Sequence, residues 1–514
     1  MVIKIVLLVI FFAGMVAVGI SARKHAVSVS GFVLGGRSVG PWLTAFAYGT
    51  SYFSAVVFVG YAGQFGWKYG LASTWIGLGN AALGSLLAWV VLGRRTRIMS
   101  QHLGSSTMPD FFEKRFDSKP LKITASIIIF IFLIPYTASI YNGLSRLFEM
   151  AFHIPYAVCV VVMAGFTAVY VILGGYMATA ISDFIQGIIM LAGIVLVVAA
   201  VLNGEGGFMA AVGSLSQIPS DAEPTLGQPG AFASFFGPDP LNLLGVVILT
   251  SLGTWGLPQM VQKFYAIRNE KAVRTGTVIS TIFAVIVSGG CYFLGGFGRL
   301  FDDPSLYDAG GALVYDSIIP FMLSKLPDVL IGVVVVLVLS ASMSTLSSLV
   351  LTSSSTLTLD LIKDNLWKNM SEKKQVGMMR VLIAVFIVIS VVLALDPPDF
   401  IAQLMGISWG ALAGAFLAPF LYGIYWKGVT RASVWVSFAC GVGLTVSNMF
   451  FHFIDSPINA GAAAMLLGLV VVPLVSFVTP KLPKTRLAQI FSCYQEETVL
   501  HQKMVVGSQK DNEE

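Results

Sequence analysis

Gly49-Thr50-Ser51-Tyr52-Phe53-Ser54 and Ser251-Leu252-Gly253-Thr254-Trp255-Gly256-Leu257-Pro258-Gln259 are polar, small-residue interruptions inside two apolar runs, near 41–64 and 241–266. Either one alone also reads as a place where small residues let membrane helices pack closely. Their spacing favours another reading. Each is the first of a block of five apolar runs, from 41 to 202 and from 241 to 426. An odd number of spans inverts the second block relative to the first. Helices broken at matching places of inverted repeats open backbone carbonyls and half-helix ends to ions and solute.

Composition agrees with a bilayer setting. Of 514 residues, 56% are hydrophobic and only 11% charged, with a mean hydropathy of +0.83, whereas soluble domains carry roughly a quarter charged residues. A soluble globular enzyme is excluded. Windows of about nineteen residues mark spans near 3–22, 41–64, 70–93, 122–142, 155–174, 181–202, 241–266, 274–296, 327–353, 376–395, 399–426, 431–453 and 459–479. These predict an all-α polytopic membrane protein of about thirteen helices. The first run is followed, not preceded, by its basic residues Arg23 and Lys24, so it reads as a retained helix and not a signal peptide.

The charges sort by side. Of the 31 Lys and Arg, all but Lys4, Lys68, Arg146, Arg299 and Lys325 fall on one set of alternate loops. The positive-inside rule then predicts an outer N-terminus and a cytoplasmic C-terminus in the cell membrane. The predicted organisation is an extra N-terminal helix and loop (1–40), a first repeat (41–202), an extracytoplasmic loop (203–240), an inverted repeat (241–426), two further helices (427–479) and a polar tail (480–514). The loops at 203–240 and 297–326 read as outer lids. The net charge of +5 follows from this topology and does not indicate nucleic acid.

The ninth window ends in Ser340-Ala341-Ser342-Met343-Ser344-Thr345-Leu346-Ser347-Ser348, continuing to Ser355. Positions 341, 344, 345, 348 and 352 share one helical face. A small alkali cation needs about five or six hard oxygens, by analogy with other hard cations. The Ser344 and Thr345 hydroxyls, the Ala341 carbonyl and carbonyls of an unwound partner helix supply them without a carboxylate, which suits a weak, reversible monovalent site. Hydroxyls bonding back to the preceding turn explain single residues of this helix better than a one-sided cluster. Asp183, in Ser182-Asp183-Phe184-Ile185-Gln186, reads either as a helix N-cap with Gln186 or as a functional intramembrane charge. The five histidines and four cysteines are scattered, and no GxxxxGK[ST] stretch is present, so neither a proton relay of histidines nor ATP binding through a P-loop is expected.

Over residues 31–430 the chain resembles the sodium:solute symporter family. The likeness rests on Gly35-Gly36-Arg37-Ser38-Val39-Gly40, Gly174-Gly175-Tyr176-Met177-Ala178 leading to Ser182-Asp183-Phe184-Ile185-Gln186, Gly256-Leu257-Pro258-Gln259 with Lys263-Phe264, Ala341 to Ser348, and Thr358-Leu359-Asp360-Leu361. It implies a leucine-transporter-type fold with one extra N-terminal helix, working by alternating access. It also implies a sodium site on the carbonyls of Thr50, Phe53 and Ala341 and the hydroxyls of Ser344 and Thr345. Some members use a second sodium site of an Asp and two Ser, which here falls on Asp183, Ser347 and Ser348.

The departures bear on the solute. Proline-type members carry an acidic residue where this chain has Tyr52, sugar-type members a polar amide where it has Val57, and no Arg lies near Tyr136, Thr137 and Tyr141 to grip sialic acid. The remaining pocket candidates are Ser51, Tyr52, Ser54, Tyr136, Thr254, Trp255, Gln259, Ser408 and Trp409. Lys68-Tyr69-Gly70-Leu71 and Pro397-Pro398-Asp399 resemble pantothenate and monocarboxylate members, a lean toward small carboxylates. The expectation is a sodium-coupled importer of a small organic solute, acting as a monomer in the lipid bilayer, with sodium as its ion and no organic cofactor, ATP or nucleic acid. The alternatives are a proton-coupled or exchange transporter of the same fold and, further off, a membrane-embedded sensor or enzyme.

Overall fold

The computed structural model describes residues 2–223, 225–396 and 401–494, and the described residues form helices and loops joined by only three isolated β-bridges. Pro397-Pro398-Asp399, the start of the 399–426 window and the tail from 495 lie outside them. The principal helices are α1 (Val2–Ala22), α2 (Pro41–Tyr52), α3 (Lys119–Phe152), α4 (Tyr156–Gly204), α5 (Pro240–Gly256), α6 (Pro258–Ala266), α7 (Glu270–Gly295), α8 (Asp328–Thr356), α9 (Glu372–Leu395), α10 (Ile401–Tyr425), α11 (Arg431–Phe451) and α12 (Pro457–Val478). A further helical stretch, Val56–His102, follows the break after α2.

Among the described residues, ten helices are long and apolar enough to cross a membrane, and the bent pair α5–α6 makes an eleventh span. Two of the expected windows fall on shorter pieces: α2 has 12 residues before its break, and Tyr156–Val169 is a short apolar helix. Glycines divide the long stretches. Gly175 sits at φ 56° inside α4, and a Cβ there would lie 2.8 Å from the Phe32 ring. Gly70, at φ 59°, separates Ala62–Tyr69 from the next pass, and its Cβ would stand 2.1 Å from the Phe232 carbonyl oxygen. Only glycine meets both the backbone angle and the close approach.

Local signals set the helix starts. Pro41, Pro240, Pro258 and Pro457 occupy the first turns of their helices, where their missing N–H is not needed. Asp239, Asn269 and Thr430 accept N–H bonds from Asn242, Ala272 and Ser433 as N-caps. Outer helices expose rows of apolar side chains such as Val9, Val278, Val388, Val392 and Phe477, as a lipid-facing surface requires. By contrast α8 is buried on every side from Val334 to Thr356 apart from Val336, so its hydroxyls face protein.

Basic residues of one set of alternate loops contact residues of that same set. Arg37 bonds Ser100, Ser105 and the Tyr265 carbonyl; Arg431 pairs with Asp117 and Arg486 reaches Lys114. The exceptions meet one another's loops instead: Lys4 pairs with Asp328 at 2.9 Å, Arg299 with Asp221 at 2.7 Å, and Lys68 lies over the Tyr315 ring. The short helices Phe208–Ser216 and Tyr315–Ser324 lie in the two loops read as lids.

Candidate functional site

The site begins where α2 stops. Phe53 turns extended (φ −109°, ψ 98°) after its N–H bonds the Gly49 carbonyl at 3.2 Å. The helix restarts one residue later, with the N–H groups of Val57 and Phe58 bonding the Ser54 carbonyl, and continues through a π-helical segment, Val56–Tyr61. A helix that ends in this way leaves its last carbonyls without intrahelical donors. Nothing in the sequence forces the stop by covalent geometry, since no proline is present. Where the segment stops, side chains of α8 lie beside its hydroxyl and carbonyl groups.

Those side chains belong to residues singled out on α8. The Ser344 hydroxyl donates to Thr50 Oγ1 at 2.7 Å, and the Thr50 hydroxyl donates to the Phe46 carbonyl at 2.8 Å. Thr345 Oγ1 lies 3.2 Å from the Thr50 carbonyl, 3.4 Å from that of Ser51 and 3.1 Å from that of Ala341. One hydroxyl proton among three carbonyl oxygens leaves a surplus of lone pairs. Such a donor-poor cluster, wholly buried, suits a small cation. Elsewhere on α8 the back-bonding reading holds: Ser340 and Ser342 donate to the carbonyls of Val336 and Val338. On the inward face Thr345 also bonds back, to Ala341 at 3.1 Å, but adds contacts to the Thr50 and Ser51 carbonyls across the helix boundary.

Below this cluster the structure brings in a residue that sequence reasoning quoted only as part of a motif. Lys263 of α6, 2% exposed, donates to Ser348 Oγ at 2.9 Å, and Ser348 shares a 2.8 Å hydrogen bond with Ser51. The same ammonium lies 3.9 Å from Asp183 Oδ2 and 5.3 Å from the centre of the Tyr176 ring. Asp183 lies well inside α4, past the Gly175 break, so it is no N-cap. Its two oxygens are fully buried and accept no hydrogen bond among the described residues. Ser347 donates to the Ser344 carbonyl at 2.8 Å.

The pocket candidates divide into two groups. Tyr52 stacks on Phe53 (ring centres 4.2 Å apart) and on Trp409 (6.0 Å), and Trp409 meets Tyr136 edge-on at 5.9 Å. The Tyr136 hydroxyl, Trp409 Nε1 and both amide atoms of Gln259 are buried without a hydrogen-bond partner among the described residues. Buried polar atoms are rarely left so. Ser54 instead caps the restarted helix at Val56 N–H, at 3.2 Å. The others are already engaged: Thr254 donates to the Gly84 carbonyl, Trp255 Nε1 to that of Leu83, and Ser408 to that of Phe132. Ser51 turns away toward Ser348. The Tyr52 hydroxyl crosses to the Thr250 carbonyl at 2.5 Å, tying α2 to α5. A cavity of about 690 Å³ is lined by Gln64, Lys68, Tyr69, Asp239, Arg299 and Gln403 among others.

The solved structure of a Na+-coupled sialic acid symporter, substrate-bound and outward-open, matches this chain with a TM-score of 0.73 at 17% identity, covering 93% of this chain and 98% of that one. Mhp1, a nucleobase-cation-symport-1 family transporter, matches in a closed conformation with a TM-score of 0.51 at 15% identity, covering 89% and 97%. The fold is all-helical and of the leucine-transporter type shared by these structures. A model of the sodium:solute symporter family matches residues 32–441, and the chain belongs to that family. The sodium/proline symporters of Staphylococcus aureus strains NCTC 8325 and COL are each 29% identical over 500 residues, covering 93% of this chain and 92% of each relative. The protein is therefore a multi-pass membrane protein of the Na+-coupled solute symport class.

Proposed function

We propose that the protein imports a small, carboxylate-bearing solute together with sodium by alternating access. The observation that carries this reading is Thr345 Oγ1 set among the carbonyl oxygens of Thr50, Ser51 and Ala341. Sodium there takes the carbonyls of Thr50, Phe53 and Ala341 and the hydroxyls of Ser344 and Thr345. It joins the end of α2 to α8 and fixes Tyr52 and Phe53 at the edge of the solute pocket. Sodium then raises solute affinity and solute raises sodium affinity by the same factor, a coupling of about 1–3 kcal/mol in typical cases. Asp183, Ser347 and Ser348 are the oxygens on which any second ion would fall.

The solute lies among Tyr52, Ser54, Tyr136, Gln259 and Trp409, with Ser51, Thr254, Trp255 and Ser408 forming the supporting wall. Few charges line this space, so a carboxylate is met by half-helix ends and by the bound sodium. The similarity to relatives named sodium/proline symporters supports an amino acid among the carboxylates. The membrane arrangement we propose is thirteen spans, with repeats at 41–202 and 241–426, the N-terminus outside and one chain as the working unit in the cell membrane. The contacts of basic residues within one set of alternate loops support it.

Uptake of candidate carboxylates into proteoliposomes, with sodium and pH gradients imposed separately, tests the coupling. Accumulation should follow the sodium gradient. The buried, unbonded carboxylate of Asp183 favours a second reading, proton coupling through that residue. Uptake that ignores sodium and follows the pH gradient would establish the second reading and end the first. Ser344→Ala with Thr345→Ala should abolish sodium-stimulated solute binding while the protein stays folded; retained stimulation would refute the site assignment.

A further inference from the structure

Asp183 and Ser348, two of the oxygen donors on which a second ion would fall, already hold a cation, and it belongs to the chain. Lys263 enters from α6, just past the second helix break, and its ammonium donates to Ser348 Oγ at 2.9 Å. It stands 3.9 Å from Asp183 Oδ2, an ion-pair distance too long for a hydrogen bond. Among the described residues Asp183 pairs with no other charged side chain, and its oxygens accept no hydrogen bond.

We infer that the Lys263 ammonium is a resident cation in place of a second sodium, so that the transporter works with one sodium ion per cycle. The inference rests on the sodium-symport reading above. Three features carry it. The hydroxyl of Ser348 has one donor and two acceptor positions; one acceptor takes the ammonium, and the 2.8 Å bond to Ser51 uses another position. The single charge of Asp183 is neutralised by the single charge of Lys263, so a sodium ion arriving beside them brings an unbalanced buried charge, which is strongly disfavoured. Lastly, Ser348 follows Ser344 by four residues and Thr345 by three, so the ammonium stands one helical turn from the proposed sodium site. Through Ser348 and Ser51 it also reaches the first broken helix, linking both breaks without a mobile ion.

Removing the ammonium leaves Asp183 as a lone buried charge that must recruit a cation. The test counts ²²Na+ bound per full-length protein at saturation in detergent at pH 8.5, where protons compete weakly. Wild type and Lys263→Arg should bind one ion. Lys263→Met should bind two, with the sodium dependence of its thermal stability rising from a Hill coefficient near one to near two. Lys263→Met combined with Asp183→Asn should return to one. Two ions in wild type, or one in Lys263→Met, overturns the inference and leaves sodium symport standing. No ion in wild type removes the sodium reading and the inference with it. If Lys263→Met alone does not fold, the wild type and the charge-balanced double variant still decide, because two ions in either is contrary to the inference.

Discussion

The two broken helices reach similar shapes by different means. After α5 the break is covalent: Pro258 has no N–H to donate, and Leu257 before it is extended (φ −80°, ψ 124°), giving a 47° bend. Gly256 packs so closely against α10 that a Cβ would lie 2.8 Å from Ala413 Cα. After α2 no proline intervenes, and the break is held by hydroxyls of α8. A break made by proline persists whatever is bound. One held by side-chain partners can be strengthened by a cation that takes the same carbonyls. On the sodium reading proposed above, the first break would be the sodium-sensitive element and the second a fixed bend that carries Gln259 and Lys263.

The largest expected effect comes from removing the hydroxyl at the centre of the first break. Thr345→Val keeps the side-chain shape but leaves the carbonyls of Thr50, Ser51 and Ala341 without it. Sodium affinity should fall about 100-fold, or about 2.7 kcal/mol, read as a rightward shift of the sodium dependence of thermal stability. An unchanged sodium dependence would place the ion elsewhere.

Next is Gln259, on the far side of the second break. Both polar atoms of its amide are buried and without a partner among the described residues, which costs stability in the absence of ligand. Gln259→Leu should therefore leave the solute-free protein as stable as wild type or more so, by up to about 1–3 kcal/mol, while solute affinity drops at least about tenfold, or 1.4 kcal/mol. A variant that loses stability yet keeps solute affinity would make the amide a packing group. Sodium affinity measured without solute should not change, which separates the role of the second break from that of the first.

A smaller effect is expected at the bridge between them. The Tyr52 hydroxyl donates to the Thr250 carbonyl on α5, and Tyr52→Phe removes this bond while keeping the stacking on Phe53 and Trp409. A loss of about 1 kcal/mol in stability is expected, with sodium affinity lowered no more than a few-fold. A loss as large as that of Thr345→Val would mean that α5 and α2 respond to sodium as one body.

Much of this was legible in the residue pattern, and the reason differs by region. The hydroxyl face of α8 follows from helical spacing, and both breaks follow from residues that disfavour continuous helix, Pro258 chemically and Gly49 to Ser54 by composition. Spacing on one helix says nothing about which residues of another reach it. Lys263 and Ser348 are 85 residues apart, and the bend at Leu257 and Pro258 sets where α6 points. For the same reason Thr254 and Trp255 read as pocket residues from their place at the break, although the carbonyls of Gly84 and Leu83 already hold them. Asp183 carried both a capping and a functional reading until its distance from the Gly175 break was known. The windows at 41–64 and 70–93, and at 155–174 and 181–202, part close to where Gly70 and Gly175 turn the chain, so these joints were visible as short gaps in hydropathy although helical structure runs on around them.

The smallest effect is expected at the second break itself, and it is the sharpest test of the comparison. Pro258→Ala restores an N–H four residues after the Thr254 carbonyl and so permits α5 to run on into α6. The close packing of Gly253 against the Trp409 ring and of Gly256 against Ala413 and Leu417 opposes a straight helix, so the bend should largely remain. Sodium affinity should then stay within about twofold of wild type, or about 0.4 kcal/mol, because none of the proposed sodium oxygens lies on α5 or α6. A tenfold change would show that the two breaks move together, with the proline setting the position of the first through the Tyr52 bridge. In that case Tyr52→Phe combined with Pro258→Ala should affect sodium affinity no more than Pro258→Ala alone, since coupled residues are not additive; independent breaks should give the sum.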